Sequence, residues 1–218
     1  MKKIIWITVC FSVMFSLTNT CSATYLGGTS YGYVEKFNYG NQSSNDTIAI
    51  ITGVHPQENG LHTAVSNAVS KESSTEKKNY ILYKVHVNQS QNDYNVGRMN
   101  GQLLAQKFVV PDVIKSKPKL VFDIHENHYL RSGYAYSRFL YPISNNTITK
   151  NYTETIVAKM PFLKIYSPPN PTSTKYVTIP IANEGIPTVV YETYAYDSMT
   201  RKTHDANLFV DTIDEMKL

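Results

Sequence analysis

In the stretch TGVHPQENG, residues 52–60, a short apolar run stops on His55, and a carboxylate, Glu58, follows three residues later. An imidazole and a carboxylate one turn apart share a face of a helix, so both could reach one cation. Pro56 suits the first turn of such a helix. In the plainer reading, Glu58 only complements the dipole at a helix start. A second stretch, VFDIHENH, residues 121–128, places Asp123 and His125 two apart at the end of an apolar run. In a strand such a pair lies on one side of the pleat, where Asp123 could orient the ring of His125. Two histidines and a carboxylate with an open fourth position make a catalytic zinc set. Glu126 and His128 are weaker candidates for the same duty, because the strand is expected to end before them. A third stretch, GIPTVVYETY, residues 185–194, puts Glu192 on an apolar strand, where a carboxylate is costly unless something uses or pairs it. Beside a metal it could take a proton from water and pass it to a leaving amine. Otherwise it pairs with a lysine or arginine. Glu184, in the preceding loop, is the poorer candidate for that role.

These residues need a frame that brings them together. The runs at 47–54, 80–87, 119–124 and 187–194 are β-branched and apolar without helical spacing, and read as buried strands. Residues 59–71 and 203–217 carry apolar residues at helical spacing, and shorter helices are expected over 98–108 and 151–159. The Gly-, Ser-, Tyr- and Asn-rich segment 24–46 reads as a surface lead-in. Strands alternating with helices point to an α/β fold with a mostly parallel or mixed central sheet and helices on both faces. His55, His125 and Glu192 then fall at or near the carboxyl ends of three strands, where open α/β sheets bind ligands.

In their order and spacing, the three stretches resemble the zinc carboxypeptidase superfamily, especially its succinylglutamate desuccinylase/aspartoacylase-like branch. The resemblance covers roughly residues 47–195. It implies that His55, Glu58 and His125 hold one zinc ion per chain and that Glu192 is the general base and acid. That branch commonly carries an Asp-Leu-Asn-Arg loop that grips a substrate carboxylate. Here the matching loop reads NDYNVGRMNG: Asp93 and Asn95 fit, but arginine stands at position 98 instead of directly after Asn95. A planar guanidinium is the natural carboxylate clamp, and the arginines are Arg98, Arg131, Arg138 and Arg201. Arg98 with Asn95 is the first choice for substrate binding and Arg131 the second. The family also uses a tyrosine from a loop before the glutamate. Tyr166 and Tyr176 stand in that part of the chain, but with seventeen tyrosines present neither is singled out.

A chain of 218 residues makes one domain. Residues 1–23, in which Lys2 and Lys3 precede an apolar run and small residues, read as a signal peptide or an N-terminal anchor, with the domain at 24–218. Both cysteines, Cys10 and Cys21, fall in that segment, so the remaining chain relies on its core instead of disulfides. Without Lys2 and Lys3, nineteen basic residues face seventeen acidic ones, and no basic block argues for nucleic acid. The protein is therefore expected to be secreted or at the cell surface, touching a membrane only through an uncleaved N-terminal segment. The function expected is cleavage of an amide bond next to a substrate carboxylate, in cell-wall or other extracellular peptides. An N-acyl amino acid deacylase, or a non-catalytic surface binding protein on the same scaffold, stays open.

Overall fold

The computed structural model describes residues 23–144 and 146–218. The expected signal peptide or anchor, with both cysteines, lies outside the described residues except for Ala23. In chain order the elements are β1 (Thr24–Thr29), β2 (Gly32–Gly40), β3 (Thr47–Thr52), α1 (Asn59–Glu72), β4 (Asn79–Val87), α2 (Tyr94–Leu104), α3 (Val110–Ser116), β5 (Leu120–Asn127), β6 (Phe139–Pro142), α4 (Thr147–Lys159), β7 (Lys164–Ile165), α5 (Thr178–Asn183), β8 (Thr188–Tyr194) and α6 (Met199–Glu215). They build one eight-stranded sheet in the order β1-β2-β4-β3-β5-β8-β6-β7.

The four apolar runs form the centre of this sheet. β4, β3, β5 and β8 are parallel neighbours, and β5 is buried along its whole length. Strands covered on both faces need apolar side chains on both, which is why these segments lack alternation. One face packs Ile48, Ile50, Phe122, Ile124 and Tyr191 against α1, α4 and α6, with Phe209 of α6 between Phe122 and Tyr191 at ring separations of 4.9 and 4.6 Å. The other face packs Ala49, Ile51, Tyr83 and Val121 under α2, α3 and α5. Among the described residues, no helix is long and apolar enough to cross a membrane.

The flanks correct the sequence reading. Residues 24–46 are not a simple surface lead-in: β1 and β2 pair antiparallel, and β2 runs antiparallel along the whole of β4. At the other side β6 joins β8 antiparallel and carries the two-residue β7. The sheet is thus mixed, with a parallel centre. The short helix expected over 98–108 is the middle of a longer helical run from Tyr94 to Ser116, with a π-helical turn over Ala105–Val109. Pro111 lacks an N–H and would press on the carbonyl four residues back. The wider turn just before it relieves that conflict.

Candidate metal centre and cleft

β3 stops at Thr52, three residues before His55, and α1 starts only at Asn59. His55 and Glu58 are therefore joined by a tight turn, closed by the Glu58 N–H donating to the His55 carbonyl at 3.0 Å, and not by a helical turn as the spacing implied. Glu58 occupies the N-cap position of α1, yet its side chain caps nothing there. It turns inward instead. Its Oε1 lies 2.9 Å from His55 Nδ1 and its Oε2 2.8 Å from His125 Nδ1. Ligand atoms from His55, Glu58 and His125 all lie within 4.8 Å of one another, and all three residues are buried. Among the described residues this is the one cluster of histidines and acids that could hold a metal ion. Paired imidazole nitrogens and a carboxylate suit a borderline ion such as zinc, so the donor set fits the expected metal.

The far side of each ring is also held. Asp123 Oδ2 lies 3.0 Å from His125 Nε2, as their shared side of β5 requires, and Ser173 Oγ approaches the same nitrogen at 3.3 Å. The Gln102 amide sits 3.0 Å from His55 Nε2. Gln102 reaches there because its neighbour Gly101 packs against the chain: a Cβ at 101 would fall 2.0 Å from the Val54 carbonyl oxygen. Such partners fix the tautomer and direction of a ligating histidine. Gln102 carried no signal in the sequence, since its role depends on the close approach of α2.

Electrostatics follow from this crowding. Burial lowers the pKa of His55 to about 4. Burial alone would push the Glu58 carboxyl up, but His55 and His125 outweigh it and hold Glu58 well below the usual carboxylate range. For His125 burial is opposed by Asp123 and Glu58, and its pKa is raised well above the ordinary value.

Glu192 stands directly beside His125, because the two are register partners on the parallel strands β5 and β8. Among the described residues it pairs with no lysine or arginine; Asn127 Nδ2 donates to its Oε2 at 3.1 Å. Burial pushes its pKa up to about 8, against the opposing pull of His125. Glu58 and Glu192 both line a cleft of about 220 Å³, shared with Arg98, Arg131 and Tyr134.

The arginines divide cleanly. Arg138 pairs with Asp197 and Arg201 with Asp205, both within the framework. Arg98 and Arg131 reach the cleft. Arg98 Nη1 pairs with Glu58 Oε1, and its Nη2 donates to Thr172 Oγ1 at 3.1 Å. Arg131 lies exposed on the lip. Asn95, expected beside Arg98 in the site, lines a neighbouring depression together with Arg98 but not the cleft of Glu58 and Glu192. Glu126 is within β5, not past it, and points away from the cluster to Lys202. Tyr166 is occupied in packing, its ring against Tyr134, Tyr136 and Phe139 and its hydroxyl accepting from the Ala135 N–H. Tyr134, which the sequence did not single out among so many tyrosines, lines the cleft with Glu192, as does the exposed Tyr94. Burial, with Glu192 adding to it, raises the pKa of Tyr134, so its hydroxyl keeps its proton.

No protein-family model and no curated protein matches the chain. Solved structures do. The metallo-carboxypeptidase from Burkholderia cenocepacia aligns with 10% identity and a TM-score of 0.55, over 90% of this chain and 64% of that one. Cell shape determinant protein Csd4 from Helicobacter pylori aligns in its apo form with 8% identity and a TM-score of 0.56, over 83% of this chain and 53% of Csd4. Its tripeptide-bound form aligns with 9% identity and a TM-score of 0.54. The chain thus spans under two thirds of the carboxypeptidase and about half of Csd4. At such identities the likeness shows the fold alone, and that fold is metallo-carboxypeptidase-like.

Proposed function

We propose that the protein is an exported, zinc-dependent hydrolase that cleaves an amide bond next to a free carboxylate of a peptide. The observation that carries this reading is the buried convergence of His55, Glu58 and His125, with Glu192 beside His125 and both carboxylates lining one cleft. When bound there by His55, Glu58 and His125, a zinc ion would supply Lewis acidity toward carbonyl and water and favour the ionised form of Glu192. Glu192 then takes a proton from the attacking water and delivers it to the leaving amine. Asn127 holds one Glu192 oxygen, leaving the other for that transfer. Arg98, the half-buried guanidinium of the cleft, grips the substrate carboxylate in a fork. Arg131 waits on the lip, and the protonated Tyr134 hydroxyl is a donor on the cleft wall. Asp123 and Gln102 keep the two rings from turning.

A peptide substrate is supported by Csd4, of which a tripeptide-bound structure is known. Export is supported by Lys2, Lys3 and the apolar run that follows them. The test is to offer zinc-loaded protein peptides with free and with amidated C-termini, together with N-acyl amino acids, and to identify products by mass spectrometry. Release of the last residue from free acids, and none from amides, is expected. Cleavage of N-acyl amino acids alone would favour the deacylase. No cleavage of any of them by zinc-loaded protein would favour the binding protein.

A further inference from the structure

Behind the cluster lies a pair of opposite charge, Glu126 and Lys202, that has no part in the chemistry above. Glu126 projects from the opposite face of β5 to His125, toward α1 and α6. Its Oε1 accepts from Lys202 Nζ at 2.6 Å and from the Leu61 N–H at 2.7 Å, one of the first-turn donors of α1 without a helical acceptor. Lys202 Nζ also donates to the Ala195 carbonyl at 2.8 Å, one residue past β8. The Glu126 N–H donates to Glu58 Oε2 at 3.2 Å.

The pair is enclosed, with side-chain exposures of 6% for Lys202 and 3% for Glu126. Chain packing makes room for it: a Cβ at Gly60 would lie 2.6 Å from Lys202 Nζ and 2.9 Å from Glu126 Oε1. Stability alone is a weak reason for such an arrangement, because an apolar couple of similar volume is often as stable as a buried ion pair. An apolar couple could not, however, take directed hydrogen bonds from separate segments. Each segment tied here adjoins a residue of the site. Leu61 is three residues past Glu58, Glu126 follows His125, and Ala195 is three residues past Glu192.

We propose that Glu126 and Lys202 are positioning residues, which lock the turn bearing Glu58 and the ends of β5 and β8 together so that the ligating atoms and Glu192 keep their mutual geometry. This inference rests on the metal-site reading above. Cobalt(II) is the probe, since its visible bands report ligand geometry and its titration reports affinity without any turnover. Lys202→Met, and separately Glu126→Gln, which keeps an acceptor for the Leu61 N–H, should bind cobalt roughly 10–100-fold more weakly than the unaltered protein, with shifted bands. A purely structural pair would lower only the unfolding temperature. Folded variants with unaltered cobalt affinity and bands would therefore overturn the proposal. Failure of both variants to fold would also overturn it, assigning the pair to the fold. If the unaltered protein takes up no cobalt, the metal-site reading falls and this inference with it, an outcome seen before any variant is made.

Discussion

Glu58 Oε2 lies 2.8 Å from His125 Nδ1 although the two residues are 67 positions apart in the chain. The turn after β3 and the end of β5 are brought side by side by the parallel pairing of those strands. The contact gives the motif HPQE a purpose that a helix start alone would not. Glu58 sits where a capping side chain would be useful and turns away from that duty to bridge two imidazoles.

Glu192→Gln should keep the metal and lose hydrolysis. Removing a general base typically lowers kcat by roughly 10²–10⁴-fold. Parallel measurement of kcat and of metal stoichiometry checks this, and unchanged kcat would remove Glu192 from the proton transfer.

Arg98→Ala should raise KM for substrates with a free carboxylate by about tenfold or more, with kcat little changed, as loss of a charge-assisted hydrogen bond implies. Because Arg98 pairs with Glu58 in the present geometry, the substitution should not weaken metal binding. An unchanged KM would transfer the carboxylate to Arg131.

Asp123→Asn should weaken metal binding by roughly 10–100-fold, since a neutral amide orients the His125 ring less firmly than a carboxylate does. Competition against a chromogenic chelator measures it. Wild-type affinity would show that the 3.0 Å approach of Asp123 to His125 is incidental.

Much of this was legible in the sequence, and the misses share a cause. The four central strands announce themselves because burial on both faces demands unbroken apolar runs. β1 and β2 were missed because strands rich in Gly, Tyr and polar residues look like a loop until it is known that β2 pairs with β4 and β1 with β2. β6 and β7 are four and two residues long, too short for any periodicity. In the site, His55, Glu58, His125 and Glu192 were readable from residue type and place. Gln102, Tyr134 and the Glu126–Lys202 pair were not, because each depends on which helix or loop folds over the strand ends. Asn95 shares a depression with Arg98 but does not line the cleft of Glu58 and Glu192, and that placement too depends on how α2 folds over the strand ends.

Stability of the metal-free protein should fall in acid in a way that His62 shapes. Burial lowers the pKa of both His55 and His62 to about 4, while an unfolded histidine titrates near about 6.5. Between those values the unfolded chain binds more protons. The two histidines therefore contribute stability in full above about pH 6.5, and it is lost as pH falls through about 4. Glu192, with its pKa raised to about 8, acts in the opposite sense and loses stability as pH rises from about 4.5 to 8. Comparing His62→Asn with the unaltered protein isolates one histidine: urea midpoints between about pH 7 and about pH 4.5 should fall less in the variant. Equal falls would contradict the burial of a neutral His62.

The reading stands or falls on whether the buried cluster takes a metal. The direct measurement is metal content by elemental mass spectrometry, on protein purified without chelator or affinity histidines, alongside His55→Ala and His125→Ala. About one zinc per chain in the unaltered protein, and far less in both variants, is the expected result for a three-ligand site. No zinc after incubation with excess metal, or equal zinc in all three proteins, would contradict it.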